Sequence, residues 1–310
     1  MSRISVTIGK LKLKNPIMVA SGTFGYAEEF SSFVNLRKLG AVVTKTITLN
    51  PRQGNPMPRT CETPAGMLNS IGLENPGLDE FIKEKLPFLK KIGVPLIVSI
   101  ASEGAPDEFI TLARCLDKIN SVAAIELNIS CPNIKEGRRM KDEGRIISQD
   151  HEATYAVVKA VRKVTGKTLI TKLSPNVTDI TEIALAAEKA GSDAVSLINT
   201  LTGMSIDIEK RRPKIASGTA GLSGPAIRPI AVRMVWEVYQ KIRIPIIGMG
   251  GIMDAVSAIE FFLAGSSAIS VGTANFINPR ATIEIIEGIK KYLIKNKIKD
   301  LRSLIGSLKL

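Results

Sequence analysis

Histidine is almost absent: His151 is the single one in 310 residues. A multi-histidine metal site cannot be built from it, and a Ser-His-Asp hydrolase would have to use that one imidazole as its base. Cysteine is nearly as scarce. Cys61, Cys115 and Cys131 are too few and too scattered for a disulfide frame or a metal knuckle, so no metal site is expected. No apolar run approaches the roughly 18 residues of a membrane helix, which speaks against a membrane protein. The start, Met1-Ser-Arg-Ile-Ser-Val, has no apolar leader, so a cytoplasmic location is expected. The Walker phosphate pattern and a dinucleotide fingerprint are both missing. No composition shift, repeat or low-complexity tract divides the chain, and residues 1–310 are read as one domain.

What is present is ordinary α/β material: 45% hydrophobic residues and 25 glycines. The formal charge of +13 is concentrated in lysine-rich stretches such as Ile289-Lys-Lys-Tyr-Leu-Ile-Lys-Asn-Lys-Ile-Lys. That is first of all a solvated surface, although such a field also attracts small anions or nucleic acid. Ser5-Val-Thr-Ile-Gly-Lys-Leu-Lys-Leu-Lys alternates around a Gly-Lys turn and predicts a hairpin, placed as a plug at the bottom of the fold. Eight strand-like segments follow, at 16–21, 41–47, 95–100, 124–130, 168–174, 194–200, 245–250 and 268–273. Helical patterns separate most of them; one of these ends at Gly191, where a helix cap favours glycine. Eight near-continuous apolar strands alternating with helices predict a parallel sheet closed into a (β/α)₈ TIM barrel; an open doubly wound sheet is the alternative.

In such a barrel, chemistry sits at the carboxyl ends of the strands. Three long connections, 48–77, 132–151 and 201–225, fall on that face. Connections of this length in a compact domain are usually functional. Lys45 and Lys172 lie inside apolar strands, where a charge needs a partner. A lysine snorkelling to the rim is the plain alternative, but two facing one mouth suit an anionic ligand. Gly250-Gly251 and Gly272-Thr273 end the last two strands, where barrels often build a phosphate site from backbone amides.

The most informative stretch is Ala124-Ile-Glu-Leu-Asn-Ile-Ser-Cys-Pro-Asn. Pro132 cannot continue a central strand, so Cys131 is set where strand becomes loop. A thiol there is either a small apolar filler or a group whose proton moves near neutral pH. Asn69, Asn128, Asn133 and Asn199 converge by strand position and suggest a neutral, hydrogen-bonding ring as ligand. Cys115, on a helical pattern, is expected in the core, and His151 at the surface.

With these residues assembled, the chain resembles class 1 dihydroorotate dehydrogenases over essentially its whole length. The matching motifs include Ala20-Ser-Gly-Thr-Phe-Gly, Gly66-Met-Leu-Asn-Ser-Ile-Gly-Leu, Asn128-Ile-Ser-Cys-Pro-Asn, Lys172-Leu-Ser-Pro-Asn-Val-Thr-Asp, Leu222-Ser-Gly-Pro-Ala and Val271-Gly-Thr-Ala-Asn-Phe. Type B is the better match. The resemblance implies FMN lined by Ser21, Lys45, Thr46, Ser99, Asn128, Lys172, Ile198, Gly224, Gly250, Gly251, Gly272 and Thr273. It implies dihydroorotate held by Lys45, Asn69, Ser70, Ile71, Gly72, Leu73, Asn128, Asn133, Asn199 and Thr200, with Cys131 as the base. It further implies a homodimeric core, a heterotetramer with a subunit carrying FAD and an iron–sulfur cluster, and NAD⁺ as final acceptor. Two departures stand out. Ser99 occupies a position where type B members usually have Asn, and residues 134–146 lack the usual glycine-rich segment, which bears on the lid. The rival readings are a stand-alone type A enzyme using fumarate, a pyrimidine reductase, and a tRNA-dihydrouridine synthase. The last would need an RNA-binding domain after the barrel, so no nucleic-acid partner is expected.

Overall fold

The computed structural model describes residues 2–102, 106–130 and 147–309. Eight parallel strands form one sheet: β1 (Ile17–Val19), β2 (Val42–Val43), β3 (Leu96–Ile100), β4 (Val122–Asn128), β5 (Thr168–Lys172), β6 (Ala194–Leu197), β7 (Ile246–Met249) and β8 (Ala268–Val271). Each pairs with its neighbour in sequence, β8 pairs with β1, and a parallel bridge from Met18 to Ala41 joins β1 to β2. The sheet therefore closes, as the eight apolar segments predict, and the TIM-barrel expectation is borne out. The strands are almost wholly buried because helices cover their outer faces.

Those helices begin and end where local chemistry dictates. Asp150, Asp179 and Asp254 each accept backbone N–H groups at the starts of His151–Arg162, Ile180–Ala190 and Ala255–Ala264. Gly191 ends the second of these with a left-handed cap, as expected. His151 is exposed at a helix start, and Cys115 is half-buried against the core.

The amino-terminal hairpin pairs Val6–Ile8 with Leu11–Leu13 and buries Val6, Ile8, Leu11 and Leu13. The Lys10 amide donates to Thr168 Oγ1 at 3.0 Å, at the first residue of β5, so the hairpin does close the bottom of the barrel. At the opposite end, two of the long connections are not irregular. Thr60–Thr63 and Gly66–Asn69 from the first pair with Ala220–Ser223 and Leu201–Gly203 from the second in a four-stranded antiparallel sheet over the mouth.

Strand β2 is shorter than its pattern suggests, and the cause is a bulge. Thr44 N–H donates to Ile97 and Ile47 N–H to Ser99, while the Lys45 amide turns away to Gly25 O at 2.8 Å. One extra residue is thus accommodated against β3, and the detour aims Lys45 and Thr46 at the mouth.

Candidate active site

A cavity of about 280 Å³ opens at the carboxyl ends of the strands, beneath the mouth sheet. That size lies at the small end of the range for ligand sites. Its wall is assembled from β-strand ends: Ser21 after β1, Lys45 and Thr46 in the β2 bulge, Asn128 ending β4, Lys172 ending β5 and Ile198 after β6. Gly250, Gly251, Gly272 and Thr273 follow β7 and β8. Asn69, Ile71, Gly72, Leu73, Asn199, Thr200 and Gly224 complete it from the connections. The Leu197–Ile198 peptide at the end of β6 is cis.

Lys172 is the electrostatic centre. It is 5% exposed, and its Nζ donates to Ser21 Oγ at 3.1 Å. Among the described residues no carboxylate stands within ion-pair distance of it. A buried ammonium with a single hydroxyl partner has unused donors and an uncompensated charge, the condition an anionic or electron-rich ligand relieves.

The amides are held in fixed orientations. Asn128 Nδ2 donates to Thr46 Oγ1 at 3.1 Å, and its Oδ1 accepts from Ser130 Oγ at 3.3 Å. Asn199 Nδ2 donates to Ser130 Oγ and Ser130 O at 2.9 and 3.0 Å, while its Oδ1 accepts from Thr200 N. Asn69 Nδ2 reaches Gly221 O at 3.4 Å across the mouth sheet.

The glycines form a cradle. Gly224 (φ +94°) and Gly251 (φ +71°) adopt backbone conformations that side chains resist. A Cβ on Gly224 would lie 2.7 Å from Gly66 Cα, and one on Gly251 2.8 Å from Gly224 O. The three backbones are therefore packed too closely for any side chain, which seats the mouth sheet on the barrel end. Thr273 Oγ1 donates to Ser223 Oγ at 2.8 Å and ties β8 to the same sheet. The helix after Gly250-Gly251 is already capped by Asp254, so the amides left for a phosphate are those of the glycine turns and of the short helix Ala274–Ile277.

Two expected contacts lie elsewhere. Ser70 is buried outside the cavity wall, its Oγ accepting from Asn55 and Ser217 at 2.8 Å each. Ser99 is fully buried beneath Thr46, bonded to Thr46 Oγ1 at 2.9 Å and donating to Glu126 Oε1 at 3.0 Å. The same bulge that lifts Lys45 and Thr46 into the mouth leaves Ser99 below them. Cys131, Asn133 and residues 134–146 lie outside the described residues.

The structure also brings in residues that the sequence reading passed over. Met67, Met249, Met253, Ile227 and Phe276 supply apolar wall. Asn75 organises the first connection: its Oδ1 accepts from Thr48 and Gly77 amides and its Nδ2 donates to Thr48 Oγ1 and Leu73 O. Asn176 does the same after β5, donating to Thr200 O and accepting from Thr202 N. A loop asparagine carries no signal of such a role. Glu126 did carry one: it is a charge inside an apolar strand, as Lys172 is.

A closed parallel β/α barrel with cationic and amide donors around one mouth defines a barrel protein whose cavity suits an anionic, hydrogen-bonding ligand. The profile of the family described as dihydroorotate dehydrogenase matches residues 3–293, and the chain belongs to that family. Membership implies a flavin cofactor. Its relatives include dihydroorotate dehydrogenase B (NAD(+)) catalytic subunits. That of Trichlorobacter lovleyi is 56% identical over 305 residues, covering 98% of each chain. That of Geotalea uraniireducens is 53% identical over 305 residues, again covering 98% of each. That of Thermoanaerobacter pseudethanolicus is 52% identical over 306 residues, covering 99% of each. Among the described residues no helix is long and apolar enough to cross a membrane.

Proposed function

We propose that this chain is the catalytic subunit of a two-subunit dihydroorotate dehydrogenase, oxidising dihydroorotate to orotate in pyrimidine biosynthesis, with residues 1–310 acting as one FMN-binding domain in the cytoplasm. The observation that carries the reading is Lys172: a buried cation, one hydroxyl partner, in a cavity ringed by fixed amides. The polar lining of the cavity fits FMN. Lys172, Ser21, Thr46 and Asn128 would meet the ring system, and the glycine turns at Gly250-Gly251 and Gly272-Thr273 offer amides to a phosphate without side chains in the way. When bound, FMN would supply the two-electron acceptor that oxidation of the substrate at C6 requires.

The remaining work belongs to protein side chains. Cys131, directly after Ser130, takes the C5 proton as a thiolate. Lys45 offsets the substrate carboxylate, and Lys172 offsets negative charge that accumulates on the cofactor side during the transfer. Asn69, Asn128, Asn133, Asn199 and Thr200 orient the pyrimidine ring through hydrogen bonds. Electrons leave for NAD⁺ through a partner subunit carrying FAD and an iron–sulfur cluster, on a homodimeric core. The naming of the relatives as NAD(+)-type catalytic subunits supports that arrangement.

Purified protein should be yellow and bleach anaerobically on adding dihydroorotate; a protein unable to bind FMN would end the reading. Cys131→Ser should slow flavin reduction by about 10²–10⁴-fold at neutral pH, recovering partly at alkaline pH because a serine hydroxyl is the weaker acid. An unchanged rate removes Cys131 from the base role. Copurification of an iron–sulfur flavoprotein supports the two-subunit form, whereas turnover with fumarate alone rejects it.

A further inference from the structure

Glu126 is a carboxylate inside the barrel, 3% exposed, on β4. Among the described residues no cation lies within ion-pair distance of it. Its partners are two hydroxyls from different strands: Ser99 Oγ on β3 donates to Oε1 at 3.0 Å and Ser196 Oγ on β6 donates to Oε2 at 3.2 Å. No role assigned so far uses this group. A buried charge is too costly to be filler, because a leucine in its place would pack without desolvation.

The hydrogen bonds around it form one directional row. An ionised carboxylate can only accept, so with Glu126 charged the single proton of Ser99 is committed to it. Ser99 Oγ must then accept from Thr46 across their 2.9 Å contact, which commits the Thr46 proton as well. Thr46 Oγ1 accepts from Asn128 Nδ2 at 3.1 Å, which turns the Asn128 amide nitrogen toward Thr46 and its oxygen toward Ser130. Ser130 Oγ donates to that oxygen and accepts from Asn199 Nδ2 at 2.9 Å. One proton of each group from Asn199 through Ser130, Asn128, Thr46 and Ser99 is thus donated along the row toward Glu126. Bonds aligned in this way polarise one another.

We propose that Glu126 is a positioning residue: through Ser99 it fixes the hydrogen-bond polarity of Thr46 and Asn128 at the cavity floor. Thr46 then has no proton to give a ligand and offers a lone pair, while Asn128 retains one amide N–H. The floor thus selects a ligand edge that carries a donor beside an acceptor, as an imide does. The inference rests on the flavin reading of the cavity, with FMN as the ligand whose affinity reports the polarity.

Glu126→Gln retains shape but supplies an amide that can donate to Ser99 Oγ, which releases the row to run in either direction. Apo-protein reconstituted with FMN would be followed by fluorescence quenching, and the bound flavin by its visible absorption bands. Glu126→Gln and Ser99→Ala should each weaken FMN by about tenfold and shift the bands, and the double variant should be no worse than the weaker-binding single. Ser196→Ala, which touches Glu126 but lies off the row, should bind FMN within twofold of wild type. Wild-type affinity and spectrum in both Glu126→Gln and Ser99→Ala would overturn the proposal, as would an equal loss in Ser196→Ala or additive losses in the double variant. If Glu126→Gln does not fold, the contrast between Ser99→Ala and Ser196→Ala decides alone. Failure of the flavin reading itself would be seen in wild type, before any variant is compared.

Discussion

Replacing Lys172 by methionine should strengthen the empty barrel and weaken the loaded one. The side chain is 5% exposed, and its ammonium has Ser21 Oγ, at 3.1 Å, as its hydrogen-bond partner. Removing an ammonium from water costs several kcal/mol even after relaxation, whereas a hydrogen bond to a charged group returns about 1.5–3 kcal/mol. Without a ligand, Lys172 is therefore a net liability. Methionine has similar length, fills the same space and carries no charge, so FMN-free Lys172→Met should be more stable by about 1–3 kcal/mol. With an unfolding entropy of about 2.1 cal/mol/K per residue, that corresponds to a rise in Tm of roughly 2–5 °C for a chain of this size. Loaded protein should show the opposite. Loss of one charge-assisted bond weakens FMN by about 10–150-fold, and the stabilisation that FMN confers shrinks accordingly. Thermal melts with and without FMN, together with a fluorescence titration, measure both effects. A variant that is less stable when empty, or that binds FMN as tightly as wild type, would refute the view that Lys172 waits for a ligand.

Two further outcomes follow from groups away from the cavity. Asp117 accepts from Thr165 Oγ1 at 2.7 Å and Gly166 N at 2.8 Å, and these bonds, the Thr165 hydroxyl foremost, hold its carboxyl below the usual range. A pKa lowered by folding contributes stability above about pH 4 and loses it as pH falls through the folded value. Asp117→Ala should therefore cost about 0.5–1 kcal/mol at pH 7, with the difference shrinking as pH falls below about 4, as read from urea unfolding. The Tyr26 hydroxyl is buried without a hydrogen-bond partner among the described residues; burial, with Glu29 and Glu80 adding, pushes its pKa well above that of a free phenol. Tyr26→Phe should leave the urea midpoint unchanged or raise stability by up to about 1 kcal/mol, and a loss larger than that would mean the hydroxyl is satisfied.

Much of this architecture was legible because burial writes itself into composition. Eight apolar strands at regular spacing leave few alternatives to a closed parallel sheet, and the hairpin and the Gly191 cap follow from local rules. The cavity lysines were legible for the same reason, since a charge inside an apolar strand must have a task. Three things were hidden. The β2 bulge depends on where one amide, that of Lys45, finds its acceptor, and no side-chain pattern records that choice. The depth of Ser99 follows from the bulge, so its hydroxyl supports Thr46 from below. The mouth sheet joins segments far apart in the chain that are only three or four residues long, too short for an alternation to announce a strand.

That sheet also orders events in time. Gly66–Asn69 and Ala220–Ser223 can meet only after the strands between them have closed enough of the barrel to bring the β2 and β6 connections together. Ordering so long a loop beforehand has an entropic cost with few contacts to offset it. The cavity-facing sheet is therefore expected to assemble after the strands between its segments, and the small buried cluster that holds it, Leu68, Ile215 and Ala220, is separate from the main core. A chain in this state is already a barrel but not yet a binding protein, and a molecule captured in the cavity pulls the final step to completion.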